Sequence, residues 1–172
     1  QVEDEIGVIC MAIGAAQMGV RSMCATSGGG FALMTEAIGM SAMFETPVVA
    51  IDVMRAGPST GVPTKTEQAD LNQAFGASQG DFPRIIVAPT SIPDCFVTVG
   101  ESFNLAEHYQ VPVILLSDLL MSEGNETVDV SFLEQEIKIE RGDLIGDAAD
   151  GKNGGVYKRY QDTPSGISPR AI

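Results

Sequence analysis

Three mostly apolar runs, spaced by stretches of helical periodicity, restrict this chain more than any other feature. Pro47 opens Val48-Val49-Ala50-Ile51-Asp52-Val53, and Arg84-Ile85-Ile86-Val87-Ala88 and the run from Val111 to Leu116 follow it. Runs of this kind suit strands covered on both faces, as parallel sheets require. A further strand is predicted from Arg21 to Thr26. Helices are predicted over residues 3–18, from about Phe31 to Phe44, around Glu67 to Phe75, and from Pro93-Asp94 to about Tyr109. Acids at the start of the first helix and Gly19 just beyond its end fit its dipole and its stop. Strand and helix alternate along the chain, which predicts an α/β fold with a doubly wound parallel sheet.

The 172 residues suffice for one ordinary domain with a short appendage. The net charge of −13 argues against a nucleic-acid partner, since a phosphate backbone needs clustered Lys and Arg. Much of the excess is local: residues 118–150 hold ten acids against two bases. Residues 1–117 are therefore expected to form the α/β domain. Residues 118–172, with Gly151-Lys152-Asn153-Gly154-Gly155 near their middle, read as an acidic linker that packs on a following domain absent here. The opening Gln1 and the immediate periodicity predict a chain that begins inside a fold. Cys10, Cys24 and Cys95 lack CxxC spacing and read as small buried hydrophobes of a reducing, cytoplasmic compartment. No run approaches the roughly 20 apolar residues of a membrane span, and no metal site is evident.

Several residues could carry chemistry. Glu5, on the first turn of an apolar helix, is either a dipole-stabilising acid or a partly desolvated acid able to share a proton with a ring nitrogen. Ser27-Gly28-Gly29-Gly30, between strand and helix, is either a tight turn or a backbone cradle for an anion or flat ligand. It has neither the spacing of a dinucleotide fingerprint nor the lysine of a P-loop. Arg55 follows a buried strand at the carboxyl end of the sheet, where such folds bind ligands. With Ser59, Thr60 and Thr64 nearby it is equipped to hold a carboxylate, or it is a surface arginine beside a polar loop. His108 suits the C-terminal end of its helix, and Met34, Met40 and Met43 are spaced as core.

Glu3-Asp4-Glu5-Ile6, Ala25 through Phe31, Glu45-Thr46-Pro47, Arg55 through Asp70 (RAGPSTGVPTKTEQAD), Phe103 through Glu107, Pro112 through Asp118 and Gly166 through Arg170 occur in order along nearly the whole chain. Together they resemble the alpha subunit of 2-oxoacid:ferredoxin oxidoreductases, especially the 2-oxoglutarate-type branch. The resemblance implies the pyrimidine-binding domain of a thiamine diphosphate enzyme, incomplete at its N-terminus. It implies Glu5, nine residues before Gly14, as the acid that hydrogen-bonds the aminopyrimidine N1′. That contact favours the imino tautomer, whose 4′ nitrogen takes the thiazolium C2 proton. Thr26, Ser27, Gly28 and Gly29 are implied as cofactor contacts, Arg55 as the partner of the substrate carboxylate, and Thr64 as a substrate-facing residue. A beta subunit carrying the diphosphate-binding domain, ferredoxin, coenzyme A and a 2-oxoacid are the implied partners. Magnesium and iron–sulfur clusters would be held by partner subunits or domains.

The chain departs from the family pattern at Ala56, where Gly is usual, and at Gly29, where Pro is frequent. A family motif that supplies a further threonine would lie before Gln1, so the isolated chain is expected to be inactive. Two other readings stay open at this point. One is a non-oxidative decarboxylase or transketolase-like thiamine enzyme; the other is a non-catalytic nucleotide- or partner-binding module.

Overall fold

A computed structural model describes residues 2–145 and 157–172. The expectation for Gly151 through Gly155 lies outside the described residues. Helix α1 (Glu5–Gln17) starts at Asp4, whose carboxylate accepts the Gly7 amide at 2.7 Å. Strand β1 (Met23–Thr26) leads into α2 (Gly28–Met43), and β2 (Val49–Met54) follows. A short α3 (Leu71–Gly76) precedes β3 (Ile85–Val87), α4 (Ile92–Tyr109) and β4 (Val113–Asp118). The described chain closes with α5 (Leu119–Glu123), α6 (Val130–Leu133) and a two-stranded pair, β5 (Leu144–Ile145) beside β6 (Arg170–Ala171).

The four main strands form one parallel sheet in the order β1-β2-β4-β3. The chain steps outward from β1 through β2 to β3 and then returns to place β4 inside. Right-handed crossovers put helices reached by opposite steps on opposite faces. The two cores follow that rule. Ala50, Met54, Ile114 and Leu116 pack with Ile9, Phe31, Met34 and Ile38 of α1 and α2, and with Ala74 of α3. Val49 and Val113, of the opposite parity, pack with Ala106 and Phe103 of α4. Period-two alternation along β2 and β4 thus sorts side chains between two helical layers, and the doubly wound α/β sheet is as expected.

Several local expectations change. Ser27-Gly28-Gly29-Gly30 is not a free turn: Ser27 is the N-cap and the glycines are the first turn of α2. The helix expected from Glu67 begins at Leu71, leaving Glu67–Asp70 outside any helix or strand. Cys24 is buried, but Cys10 is exposed and Met43 is 75% exposed. These helices are apolar all round, so covering two walls still leaves apolar residues outside.

The described residues of 118–145 and 157–172 make contacts of their own with the sheet domain. Asp118 ends β4 and caps α5 through the Met121 amide at 2.8 Å. Buried Glu107 of α4 receives Arg21 at 2.6 Å, Arg141 at 2.6 Å and Arg170 at 3.2 Å. Arg170 also donates to the Ala16 carbonyl at 2.8 Å, and Gln110 donates to the Ser168 carbonyl at 2.6 Å. The described end of the chain therefore docks on α1 and α4. No helix among the described residues is long and apolar enough to cross a membrane.

Candidate active site

The carboxyl ends of β1 and β2 lie side by side, with Thr26 in register with Asp52. Three residues beyond Asp52, Arg55 leaves the sheet and enters the loop. The loop closes on itself: the Ala56 amide donates to the Lys65 carbonyl, and the Val62 amide donates back to the Ala56 carbonyl. Gly61, at φ +59°, is where this return needs glycine, because a Cβ would strike the Ala56 carbonyl.

Between this loop, the segment before α3 and the first turn of α2 opens a cleft of about 530 Å³. Gly28, Gly29, Arg55, Ser59, Glu67 and Asp70 are among its lining residues. A Cβ on Gly29 would lie 3.9 Å from an Arg55 terminal nitrogen, and one on Gly28 would lie 3.0 Å from an Asp70 oxygen. Arg55 and the glycine turn thus share one cleft.

Gly30 brings the other residues together. A Cβ there would meet Thr26 Oγ1 and would lie 2.8 Å from Glu5 Cγ and 2.9 Å from Glu5 Oε1. Glu5 and Thr26 therefore converge on the first turn of α2 from α1 and β1. Thr64 is exposed on the outer limb of the loop and is not part of the cleft lining. His108 sits in the last turn of α4, at the amino end of the sheet, 3.2 Å from Glu140.

The electrostatics of the cleft are unusual in one respect. Ser27 Oγ, Arg55 Nε, Asp70 Oδ2 and both Asp52 oxygens are buried without a hydrogen-bond partner. Buried polar atoms are nearly always satisfied, so orphans gathered at one place mark a site built for something polar. Burial pushes the Asp52 carboxyl up to about 7; the neighbouring Asp70 adds to the rise and Arg55 opposes it. Asp70 is also pushed up, by burial first and then by Glu67, while the backbone amide and charge of Arg55 pull it back. Asp52, Asp70 and Glu67 are not among the candidates that local sequence pattern offers. The one available signal was Asp52 itself, an acid inside an otherwise apolar strand.

The donors and the shape fit the pyrimidine end of a thiamine cofactor beside a carboxylate-bearing substrate. Glu5 and Thr26 stand where a ring edge could be held, the glycine backbone allows close approach, and Arg55 offers a guanidinium.

Residues 1–154 match the domain family described as pyruvate flavodoxin/ferredoxin oxidoreductase, thiamine diP-binding. The chain is 44% identical to the 2-oxoacid:ferredoxin oxidoreductase 1 alpha subunit of Sulfurisphaera tokodaii, covering 100% of this chain and 27% of that protein. It is 52% identical to the 2-oxoglutarate oxidoreductase subunit KorA of Mycobacterium tuberculosis, over 73% of this chain and 19% of that one. Its fold is also similar to that of a Magnetococcus marinus 2-oxoglutarate:ferredoxin oxidoreductase with 2-oxoglutarate, coenzyme A and succinyl-CoA bound. The TM-score is 0.85 at 42% identity, over 99% of this chain and 29% of that one. The chain spans under a third of the length of each of these three proteins. On a match that covers most of its length, the chain belongs to the thiamine diphosphate-binding domain family of the pyruvate flavodoxin/ferredoxin oxidoreductases.

Proposed function

We propose that this chain supplies the pyrimidine side of the thiamine diphosphate site in a 2-oxoacid:ferredoxin oxidoreductase of the 2-oxoglutarate type. The observation that carries the reading is the convergence of Glu5 and Thr26 on Gly30, next to Gly28 and Gly29 of the cleft that holds Arg55. The names and ligands of the relatives agree with it.

In this reading Glu5 holds a proton at the ring nitrogen N1′. Thr26, Ser27, Gly28 and Gly29 would orient the ring: the threonine hydroxyl and the unpartnered Ser27 hydroxyl offer contacts, and the glycines allow close approach. Arg55 binds the C1 carboxylate of the 2-oxoacid through a charge-assisted pair. Thr64, exposed outside the cleft lining, would meet the substrate only from the outer limb of the loop. When bound, the cofactor supplies the electron sink for decarboxylation. A beta subunit would bring the diphosphate-binding domain and magnesium. Iron–sulfur clusters in partner subunits or domains would pass electrons to ferredoxin, and coenzyme A would take the acyl group. Three free cysteines among the described residues agree with a reducing, cytoplasmic setting.

The test is reconstitution. Mixing the complete alpha subunit with its beta subunit should give thiamine diphosphate binding and 2-oxoglutarate oxidation coupled to ferredoxin and coenzyme A. Decarboxylation without either acceptor would favour a non-oxidative thiamine enzyme. Failure to bind the cofactor at all would favour a non-catalytic module.

A further inference from the structure

The acids behind Arg55 have no part in the reading above. Asp52 is 0% exposed, and neither carboxylate oxygen accepts a hydrogen bond. It points to the α1–α2 side of β2, the side of Ala50 and Met54, three residues before Arg55. The Arg55 Nε is buried and unpartnered too. Asp70 brings a second carboxylate, whose buried Oδ2 sits against Gly28 at the start of α2. Both acids feel the Arg55 charge. Asp52 is fully buried while Arg55 and Asp70 are half-buried, and a buried charge is costly unless it pairs or is neutralised. A proton on one acid is the simplest way to meet that cost.

We propose that Asp52, with Asp70 beside it, is a positioning residue that sets how firmly Arg55 holds an anionic ligand: protonated, it leaves the guanidinium to the ligand, and ionised, it competes for it. The proposal rests on the reading of Arg55 as the clamp for the substrate carboxylate.

Among the described residues, the charged groups acting on Asp52 are Asp70 and Arg55. Arg55 acts from its own strand, and Asp70 acts from the segment before α3, with Glu67 raising Asp70 in turn. Thr26 is its register partner on β1, and Leu116 its partner on β4. From the helices come the Ser27 hydroxyl at the start of α2 and, across Gly30, the Glu5 carboxylate of α1. Of these only Arg55 is a cation. Burial and Asp70 push the Asp52 carboxyl up to about 7, so its change of charge falls in the neutral range. As the pH rises through that value, the carboxylate forms and draws on Arg55.

The experiment uses the complete assembled enzyme. The dissociation constant of 2-oxoglutarate is measured by calorimetry from about pH 6 to about pH 9. Wild type, Asp52→Asn, Asp70→Asn and Arg55→Ala are compared, and infrared difference spectra follow the C=O stretch of a protonated carboxyl. Wild-type binding should weaken above neutrality, approaching about tenfold per pH unit. Asp52→Asn should hold the tight, low-pH affinity across the range and lose one protonated-carboxyl band. The same slope should appear in KM and not in kcat. Asp70→Asn, which removes the neighbouring negative charge, should move the wild-type midpoint to lower pH, and it stands in if Asp52→Asn folds poorly. Parallel profiles for wild type and Asp52→Asn, or an unmoved midpoint in Asp70→Asn, overturn the proposal while a weakened Arg55→Ala leaves the clamp intact. Arg55→Ala binding like wild type overturns both.

Discussion

Asp52 takes up a proton at about 7 in the fold, against 3.8 for an unperturbed carboxyl. Between those values the folded state binds more protons than the unfolded one, so stability falls as the pH rises. Its contribution is complete below about pH 4 and is lost as the pH passes 7, a span on the order of 4 kcal/mol. Asp52→Asn removes that slope. The variant should match wild type in thermal unfolding at acid pH and exceed it at alkaline pH. A gap between the two that stays constant with pH would show that Asp52 is not titrating. Arg55 belongs to the same scale. Arg55→Ala should cost ~2–4 kcal/mol in kcat/KM while thiamine diphosphate affinity holds, and Arg55→Lys should restore only part, for want of the planar fork. Equal losses for cofactor and substrate would leave Arg55 as a brace for the loop.

At the scale of the element, α2 is placed by the space its first turn leaves free. Gly30 packs where Thr26 and Glu5 meet, so Gly30→Ala must displace the Thr26 hydroxyl and the Glu5 side chain. Overpacking of this kind typically costs ~1–3 kcal/mol. Because the atoms displaced are those of Glu5 and Thr26, cofactor affinity should fall with stability. Gly14→Ala is the control: a Cβ there meets nothing within 4 Å, and helix propensity favours alanine by about 1 kcal/mol. Calorimetry and cofactor titration of the two variants, measured in the assembled enzyme, check both. These elements were largely legible in the sequence, since the apolar runs at Val48 and Val111 could be little else than buried strands. The first turn of α2 was not. Three glycines read as a loop by propensity, and only the close packing of α1 and β1 around Gly30 makes them helix. Glu5 and Arg55 were legible as candidates from their place on a helix and a strand end. Asp52 was masked by the apolar strand around it, and Asp70 acts across 18 residues of sequence, beyond the reach of local pattern.

Across the whole molecule, the acidic tail could not be read because what holds it is long-range. Glu107 and Arg170 are 63 residues apart, and Arg170 reaches Ala16 across 154. Nothing in the local composition around Arg141 and Arg170 reveals that these residues reach α1 and α4. Glu107→Ala would strand three arginines, two of them partly exposed and Arg170 buried. Breaking a buried pair costs ~3–5 kcal/mol, so the variant should unfold earlier and its last 50 or so residues should be cut first in limited proteolysis. Protection equal to wild type would mean that β5 and β6 hold the tail without Glu107. In the proposed function, cofactor, substrate and acceptor meet in the assembled enzyme. The most direct test of that function is 2-oxoglutarate-driven reduction of ferredoxin, measured with and without coenzyme A, for wild type and Glu5→Gln at saturating cofactor. The expected result is acceptor-dependent reduction in wild type and a loss of turnover of ~10²–10⁴-fold in Glu5→Gln, with the fold retained. Wild-type turnover in Glu5→Gln would contradict it.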